Sequence, residues 1–343
     1  MSKDILTELA EADRDVELRE ANRRLLVKLD KANASKEELV DAVYRAARDA
    51  AAGLVMSPVR PPQGDKRKGK PEVAVAMLSD WQLGKKTPSY TSEVCEQRVQ
   101  RYAAKVQTLA DIQRSDHPVR ELRVWLLGDL VEGELIFPGQ AHRIDASLYR
   151  QVVVDGPRIL GDFLRSMLAA FDRVHVTAVI GNHGAIGGPV RRESHPETNA
   201  DMMLARIVSD TVTDPRLTWT LSDPVGERGW YAIDHIGNYS CLLFHGDQVR
   251  GGFGGFPWYG FGKKVLGWRQ TMEPFTDAAC GHWHQSAAFP LNEVIVRVNG
   301  STESDNTYAL ENLASAGRPS QWLYFVNPDR GRVTAEYRVW LDD

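Results

Sequence analysis

Cysteine is scarce in this chain of 343 residues. There are three, Cys95, Cys241 and Cys280, far apart and odd in number. A disulfide-stapled scaffold is therefore excluded, and the thiols read as reduced and mostly buried. Long apolar runs are missing too. No stretch is long enough to span a bilayer, and the charged N-terminus lacks the apolar core of a signal peptide. The expected compartment is the cytoplasm, with no membrane partner. Strong net charge is also absent: the formal value is -4. No overall field draws the chain to nucleic acid, so such a partner would need a local basic patch. What is present is 43% hydrophobic residues, enough for one large domain plus an appendage, or two ordinary domains.

Glycine and proline are absent before Gly53. Residues 1–52 are rich in Glu, Arg, Lys, Ala and Leu. Ile5, Leu6, Leu9, Val16, Leu25 and Leu29 form an irregular helical stripe. A second helix starts at a Ser35/Glu38 capping box and continues through Leu39, Val43, Ala46, Ala47 and Ala50. Two such helices cannot bury a core alone. They are expected to pair as a hairpin, within a homo-oligomer or against a protein partner. Residues 53–71 form a linker, with Pro58, Pro61, Pro62, Gly64 and Pro71 around the basic run Lys66-Arg67-Lys68-Gly69-Lys70.

From residue 72 to 343 the pattern is α/β. Buried strands are expected at Val73–Leu78, Leu122–Leu127 and Arg173–Ile180, with helices over 92–114, 146–171 and 199–211. The C-terminal part reads mainly as strands, and Gly237-Asn238 signals a hairpin. Polar motifs close the apolar runs: Asp80-Trp81-Gln82, Gly128-Asp129, Gly181-Asn182-His183, His245-Gly246-Asp247 and Gly281-His282-Trp283-His284. Open α/β sheets place their ligands at the carboxyl ends of strands. A carboxylate at the end of a buried strand is costly unless it meets a cation or is well hydrogen-bonded. Taken singly, Asp80, Asp129 and Asn182 suit capping or turn roles. On a strand, His282 and His284 would face one way. Together the set offers carboxylate, amide and imidazole groups, the ligands that first-row divalent metals prefer. It matches two cations sharing one carboxylate, an arrangement suited to in-line attack on phosphorus.

This series resembles the calcineurin-like metallophosphoesterase superfamily, whose usual pattern is D-x-H, G-D, G-N-H, H, G-H-x-H. The resemblance covers residues 72–343 and implies a four-layer αββα sandwich, here with an N-terminal helical extension. It implies a first metal held by Asp80, Gln82, Asp129 and His284. The second would take Asp129, Asn182, His245 and His282, with Asp129 bridging. His183 would be the catalytic residue, polarising the phosphate or protonating the leaving oxygen. Gln82 departs from the pattern, where His is usual. A neutral amide oxygen should favour Mn²⁺ or Mg²⁺ over Zn²⁺ or Fe, or the position is left to water; two divalent ions are expected, Mn²⁺ first, with Mg²⁺, Fe or Zn²⁺ as alternatives. His235 rivals His245, but His245 ends an apolar strand.

Three segments could read a substrate. They are Glu132–His142, then Gly184–Asn199 with Arg191 and Arg192, and Gly251–Arg269 with Trp258, Tyr259, Lys263, Lys264 and Arg269. Glycines with interleaved aromatics and then cations suit a mobile loop that stacks bases and holds phosphates. The turn Asn299-Gly300-Ser301 is expected to border the site. The Glu134–Gln140 segment and the helical front resemble phage- and prophage-encoded metallophosphoesterases, distant relatives of double-strand-break repair exonucleases. The resemblance implies a nuclease acting on DNA by metal-activated hydroxide attack at phosphorus. The alternative is a phosphatase or phosphodiesterase acting on a nucleotide, cyclic nucleotide or phosphoprotein.

Overall fold

The computed structural model describes residues 69–186, 196–221, 229–250, 256–304 and 317–342, together with 58–64, 67 and scattered positions from Glu20 to Asp49. The chain divides into two compact units, Met1–Ala46 and Ala47–Asp343. In the first, the described positions are helical and exposed or half-buried. The Ser35 cap and most of the expected helical stripe lie outside the described residues.

The second unit holds two sheets. In the first, β1 (Glu72–Leu78), β2 (Val119–Leu126), β3 (Arg173–Ala178) and β4 (Leu217–Leu221) run parallel. β10 (Ser320–Asn327) pairs antiparallel with β1, and β11 (Arg332–Trp340) with β10. The second sheet has the order β5 (Tyr231–Ile236), β6 (Tyr239–Phe244), β7 (Asp277–Cys280), β9 (Val294–Val298), β8 (Ala287–Leu291). β1 is buried at every position, as expected of a parallel strand covered on both faces. Val73, Val75 and Met77 point between the sheets and meet Tyr239, Cys241 and Leu243 of β6. Ala74, Ala76 and Leu78 lie on the opposite face.

Helices α1 (Ser92–Gln113), α2 (Gly156–Ala170) and α3 (Ala200–Thr211) attend the first sheet. The Tyr102 hydroxyl of α1 donates to Trp322 O of β10 at 2.6 Å. α4 (Trp258–Thr271) covers the outer face of the second sheet, packing Phe261 and Val265 onto Leu242, Phe244, Ala278 and Val296. The layers thus run helix, sheet, sheet, helix, as expected. Among the described residues no helix is long and apolar enough to cross a membrane. Cys95, Cys241 and Cys280 are all free and buried.

Several expectations need correction. The helix expected from Ala146 is helical from Leu148 and passes through a π-helical turn, Arg150–Asp155, before α2. Pro157 has no N–H, so it fits only the first α turn. The expected mobile loop 251–269 is helical from Trp258 onward. Phe261 and Val265, four apart, anchor one face of it. Strands β4 and β8 were not expected. Both sit at sheet edges with alternating burial.

Two ionic links clasp the sheets. Trp125 Nε1 and Arg123 Nη1 of β2 donate to Asp234 of β5 at 2.7 and 3.0 Å. Arg297 of β9 is buried between Asp277 of β7, at 2.6 Å, and Glu336 of β11. Removing one partner of such a set strands a buried charge. Arg297→Ala should therefore cost about 3–5 kcal/mol, read as a lower urea midpoint in equilibrium unfolding.

Candidate metal centre

The strands deliver their polar ends in step. Leu78 pairs with Leu126 and Leu126 with Ala178, so the loops after β1, β2 and β3 leave at one level. In the second sheet Leu243 pairs with Ala279 and Cys280 with Val298, which aligns His245, Gly281 and Asn299. All five motifs meet at this edge.

The convergence forces unusual backbone. Asp80, Gln82, Asp129, His282 and His284 have φ of 53°, 47°, 53°, 72° and 53°. Non-glycine residues seldom adopt this left-handed region, and such strain gathers at functional sites. His282 and His284 therefore lie on a left-handed loop beyond the end of β7, and the strand alternation that would face them one way does not apply. Glycine permits the loops to touch. A Cβ on Gly181 would stand 2.2 Å from Asp129 Oδ1, and one on Gly281 would stand 2.3 Å from Asp80 Oδ2.

One cluster gathers around Asp129. His245 Nε2 lies 3.0 Å from Asp129 Oδ2, 3.2 Å from Asn182 Oδ1 and 3.2 Å from His282 Nδ1. The ligand atoms of Asp129, His245 and His282 lie within 4.8 Å of one another. His245 Nδ1 is 2.8 Å from Leu127 O, a contact that places the ring proton on Nδ1 and a lone pair on Nε2. Acceptor atoms then face acceptor atoms, which is unfavourable unless a proton or a cation sits among them. The second cluster shares Asp129. His284 Nε2 lies 3.3 Å from Asp80 Oδ1, and Gln82 Nε2 donates to Asp129 Oδ2 at 3.3 Å. Gln82 Oε1 is buried with no hydrogen-bond partner among the described residues. Hard oxygen and imidazole donors, overlapping at one carboxylate, with an orphaned amide oxygen alongside, fit a pair of divalent cations. The structure thus brings Asp80, Gln82, Asp129, Asn182, His245, His282 and His284 together.

His183 is beside the shared carboxylate. Its backbone N–H donates to Asp129 Oδ1 at 2.7 Å. Its Nδ1 is held by Glu132 O at 3.0 Å and Glu132 Oε2 at 3.3 Å, leaving Nε2 as the second ring nitrogen. His235 is remote: it is exposed on β5 and paired with Glu273. Arg191 and Arg192 lie outside the described residues. Trp258 and Tyr259 are 52% and 80% exposed at the start of α4, and Lys263 is exposed on the same helix. Phe256 links Trp258 to Trp283, at ring separations of 4.5 and 6.0 Å, and Trp283 stands between the two loop histidines.

Supporting residues went unread in the sequence. Asp201, in the first turn of α3, accepts from the backbone N–H groups of Asp129, Leu130, Val131 and Gly181 at 2.9, 2.9, 3.3 and 2.9 Å. Its only sequence signal is that of a first-turn acid after the Asn199 cap. Ser301 Oγ donates to Asp80 O at 2.7 Å, so the 299–301 turn does border the site. Glu303 binds His284 Nδ1 at 3.0 Å and carries no local signature.

Electrostatics follow from this packing. Burial opposes charge on His245, yet the Asp129 carboxylate lifts it to about 10. Burial also opposes charge on His284, but hydrogen bonds to Asp80 and Glu303 lift it to about 10. His183 is raised to about 9 against burial, by Asp129 and then Glu132. Burial and the nearby His245 press His282 well below the ordinary range. Burial and then Asp129 raise Asp201 to about 6.

No protein-family model matches the chain, and neither does any curated protein sequence. Among solved structures the chain is similar to a predicted phosphoesterase from Streptococcus pneumoniae TIGR4, at 13% identity over 78% of this chain and 98% of that one, with a TM-score of 0.34. It is similar to Zn²⁺-complexed Vps29 from Entamoeba histolytica, at 15% identity over 78% and 99%, with a TM-score of 0.35. It is also similar to an archaeal phosphodiesterase, at 10% identity over 78% and 99%, with a TM-score of 0.36. Likeness at this level assigns neither an activity nor a ligand to this chain.

Three outcomes are expected. In metal-free protein, the raised His245 and His284 contribute stability that is complete below about 6.5 and lost as pH climbs through about 10. Stripped protein should melt progressively lower from pH 7 to 10, and Mn²⁺ should restore it. Apparent Mn²⁺ affinity should rise by about tenfold per pH unit for each proton displaced, measurable by calorimetry in buffers of different ionisation enthalpy. Separately, Gln82→His should tighten metal binding, and an unchanged titration would remove Gln82 from the ligand set.

Proposed function

We propose that the protein is a dinuclear metal-dependent phosphodiesterase, with DNA as its substrate. The observation that carries this is the pair of acceptor clusters overlapping at Asp129, with His183 beside them. Asp80, Gln82, Asp129 and His284 would hold one cation, and Asp129, Asn182, His245 and His282 the other. When bound, the two cations supply neutralising charge for phosphate oxygens and lower the pKa of the attacking water.

The chain's own residues do the rest. The Asp201 carboxylate holds the loops of Asp129 and Asn182 by their backbone N–H groups, so the ligands are fixed before substrate arrives. Glu132 orients the His183 ring through Nδ1. In metal-free protein Asp129 and then Glu132 raise His183 to about 9 against burial, and the Glu132 partner still favours the protonated ring once cations neutralise Asp129. His183 can then bind a phosphate oxygen or deliver the Nε2 proton to the departing alkoxide.

The reading of a polynucleotide rests on the surface next to the site. Trp258 and Tyr259 are exposed aromatic residues at the start of α4, and Trp258 is linked through Phe256 and Trp283 to the loop that bears His282 and His284. Lys263 and Lys264 are exposed one helical turn on. Stacked bases and a following phosphate would suit such a surface. A part in phage DNA metabolism belongs to the same reading.

Hydrolysis of bis-p-nitrophenyl phosphate, p-nitrophenyl phosphate and single- and double-stranded DNA, each with Mn²⁺, Mg²⁺ and Zn²⁺, tests it. The diester and DNA should be cleaved, and cleavage of the monoester alone would overturn the proposal. Trp258→Ala should weaken DNA binding by about 1–3 kcal/mol while sparing turnover of bis-p-nitrophenyl phosphate. His183→Ala should lower diester turnover by about 10²–10⁴-fold with metal binding retained.

A further inference from the structure

The two clusters differ in what stands behind their imidazoles. His245 Nδ1 is backed by a neutral main-chain carbonyl, Leu127 O. His284 Nδ1 is backed by a carboxylate, Glu303 Oε2, at 3.0 Å. Glu303 is 3% exposed. Its other oxygen, Oε1, forms an ion pair with Lys85 Nζ. The segment that carries it is pinned at several points. Glu303 N donates to Ser301 Oγ at 2.8 Å, Arg98 Nη1 donates to Thr302 O at 2.5 Å, and the Tyr90 hydroxyl meets Thr302 Oγ1 at 2.6 Å. The carboxylate is therefore a fixed feature of the site's floor.

An imidazole that gives its Nδ1 proton to a carboxylate presents the Nε2 lone pair and is a stronger donor than one bonded to a neutral group. Here Nε2 points to the side where Asp80 Oδ1 lies, 3.3 Å away. The same cluster contains the neutral amide of Gln82, a weak donor. We infer that Glu303 is a positioning residue for the first metal, fixing the His284 tautomer and strengthening its donor nitrogen so as to offset the amide at Gln82, with Lys85 limiting how much of that charge reaches the ring. The inference rests on the dinuclear reading of the site.

Mn²⁺ titrations of the full chain, followed by calorimetry and by the exchange-coupled electron paramagnetic resonance signal of a Mn²⁺ pair, test it. In Glu303→Gln the first-site affinity should fall about 10–100-fold, with the second within twofold of wild type, so the coupled signal should vanish at Mn²⁺ concentrations that fill both sites in wild type. Lys85→Met should bind the first metal at least as tightly as wild type. Glu303→Asp, which keeps the charge, should recover most of the lost affinity. Three results would overturn the inference. One is Glu303→Gln within twofold at both sites. Another is Glu303→Asp binding as weakly as Glu303→Gln. The third is Glu303→Gln and Lys85→Met weakening both sites alike, the mark of an ion pair that only secures the loop. Wild-type protein that binds no Mn²⁺ would refute the dinuclear reading itself, whereas two-site binding indifferent to Glu303 would refute only this assignment.

Discussion

Two carboxylates, Asp129 and Asp201, bind the backbone of the loops at residues 129–131 and 181–183, and the arrangement of the site depends on keeping both there. Asp201 takes the N–H groups of residues 129–131 and 181. Asp129 meets His245, Gln82 and the N–H of His183. Buried anions are tolerated only where donors or opposite charge surround them. The N–H groups that the loops cannot use in a strand ladder supply that compensation. The loops in turn are held where ligand side chains can meet, so charge balance and loop geometry are one constraint.

The same constraint accounts for the five left-handed residues. A strand end that continues in β conformation throws its side chains alternately to the two faces of the sheet. Turning the chain through positive φ at Asp80, Gln82 and Asp129 in the first sheet, and at His282 and His284 in the second, redirects them toward one point between the sheets. The strain is sustained by the hydrogen bonds of Ser301 and Thr302 to Asp80 O, and of His282 N to the Asp80 carboxylate. Backbone and side chain stabilise each other, as expected of a site fixed before its ligands bind.

Much of this was legible in the sequence because ligand type and strand end coincide there. Buried runs such as Val73–Leu78 declare a parallel strand, and the polar residue that follows is conspicuous. Glycine before a candidate ligand, as in Gly281-His282, signals close approach, and in the structure a Cβ there would stand 2.3 Å from Asp80 Oδ2. Legibility failed where the signal is spread out or absent. α4 carries Gly260, Gly262 and Gly267, which hide the spacing of Phe261 and Val265. β4 and β8 are short edge strands with one exposed face. Asp201 reads as an ordinary first-turn acid, and Glu303 as a polar loop residue. Their roles come from contacts across tens to hundreds of positions, and no local pattern records those.

The thiols have a practical bearing. Cys95, Cys241 and Cys280 are sealed in the interior, and burial pushes Cys95 up to about 11 and the other two well above the usual thiol range. A thiol that stays protonated and inaccessible is a poor nucleophile. Alkylating dyes should pass this protein by, so a single cysteine introduced on the outer surface of α4 would accept a fluorophore or spin label without first stripping out the native three.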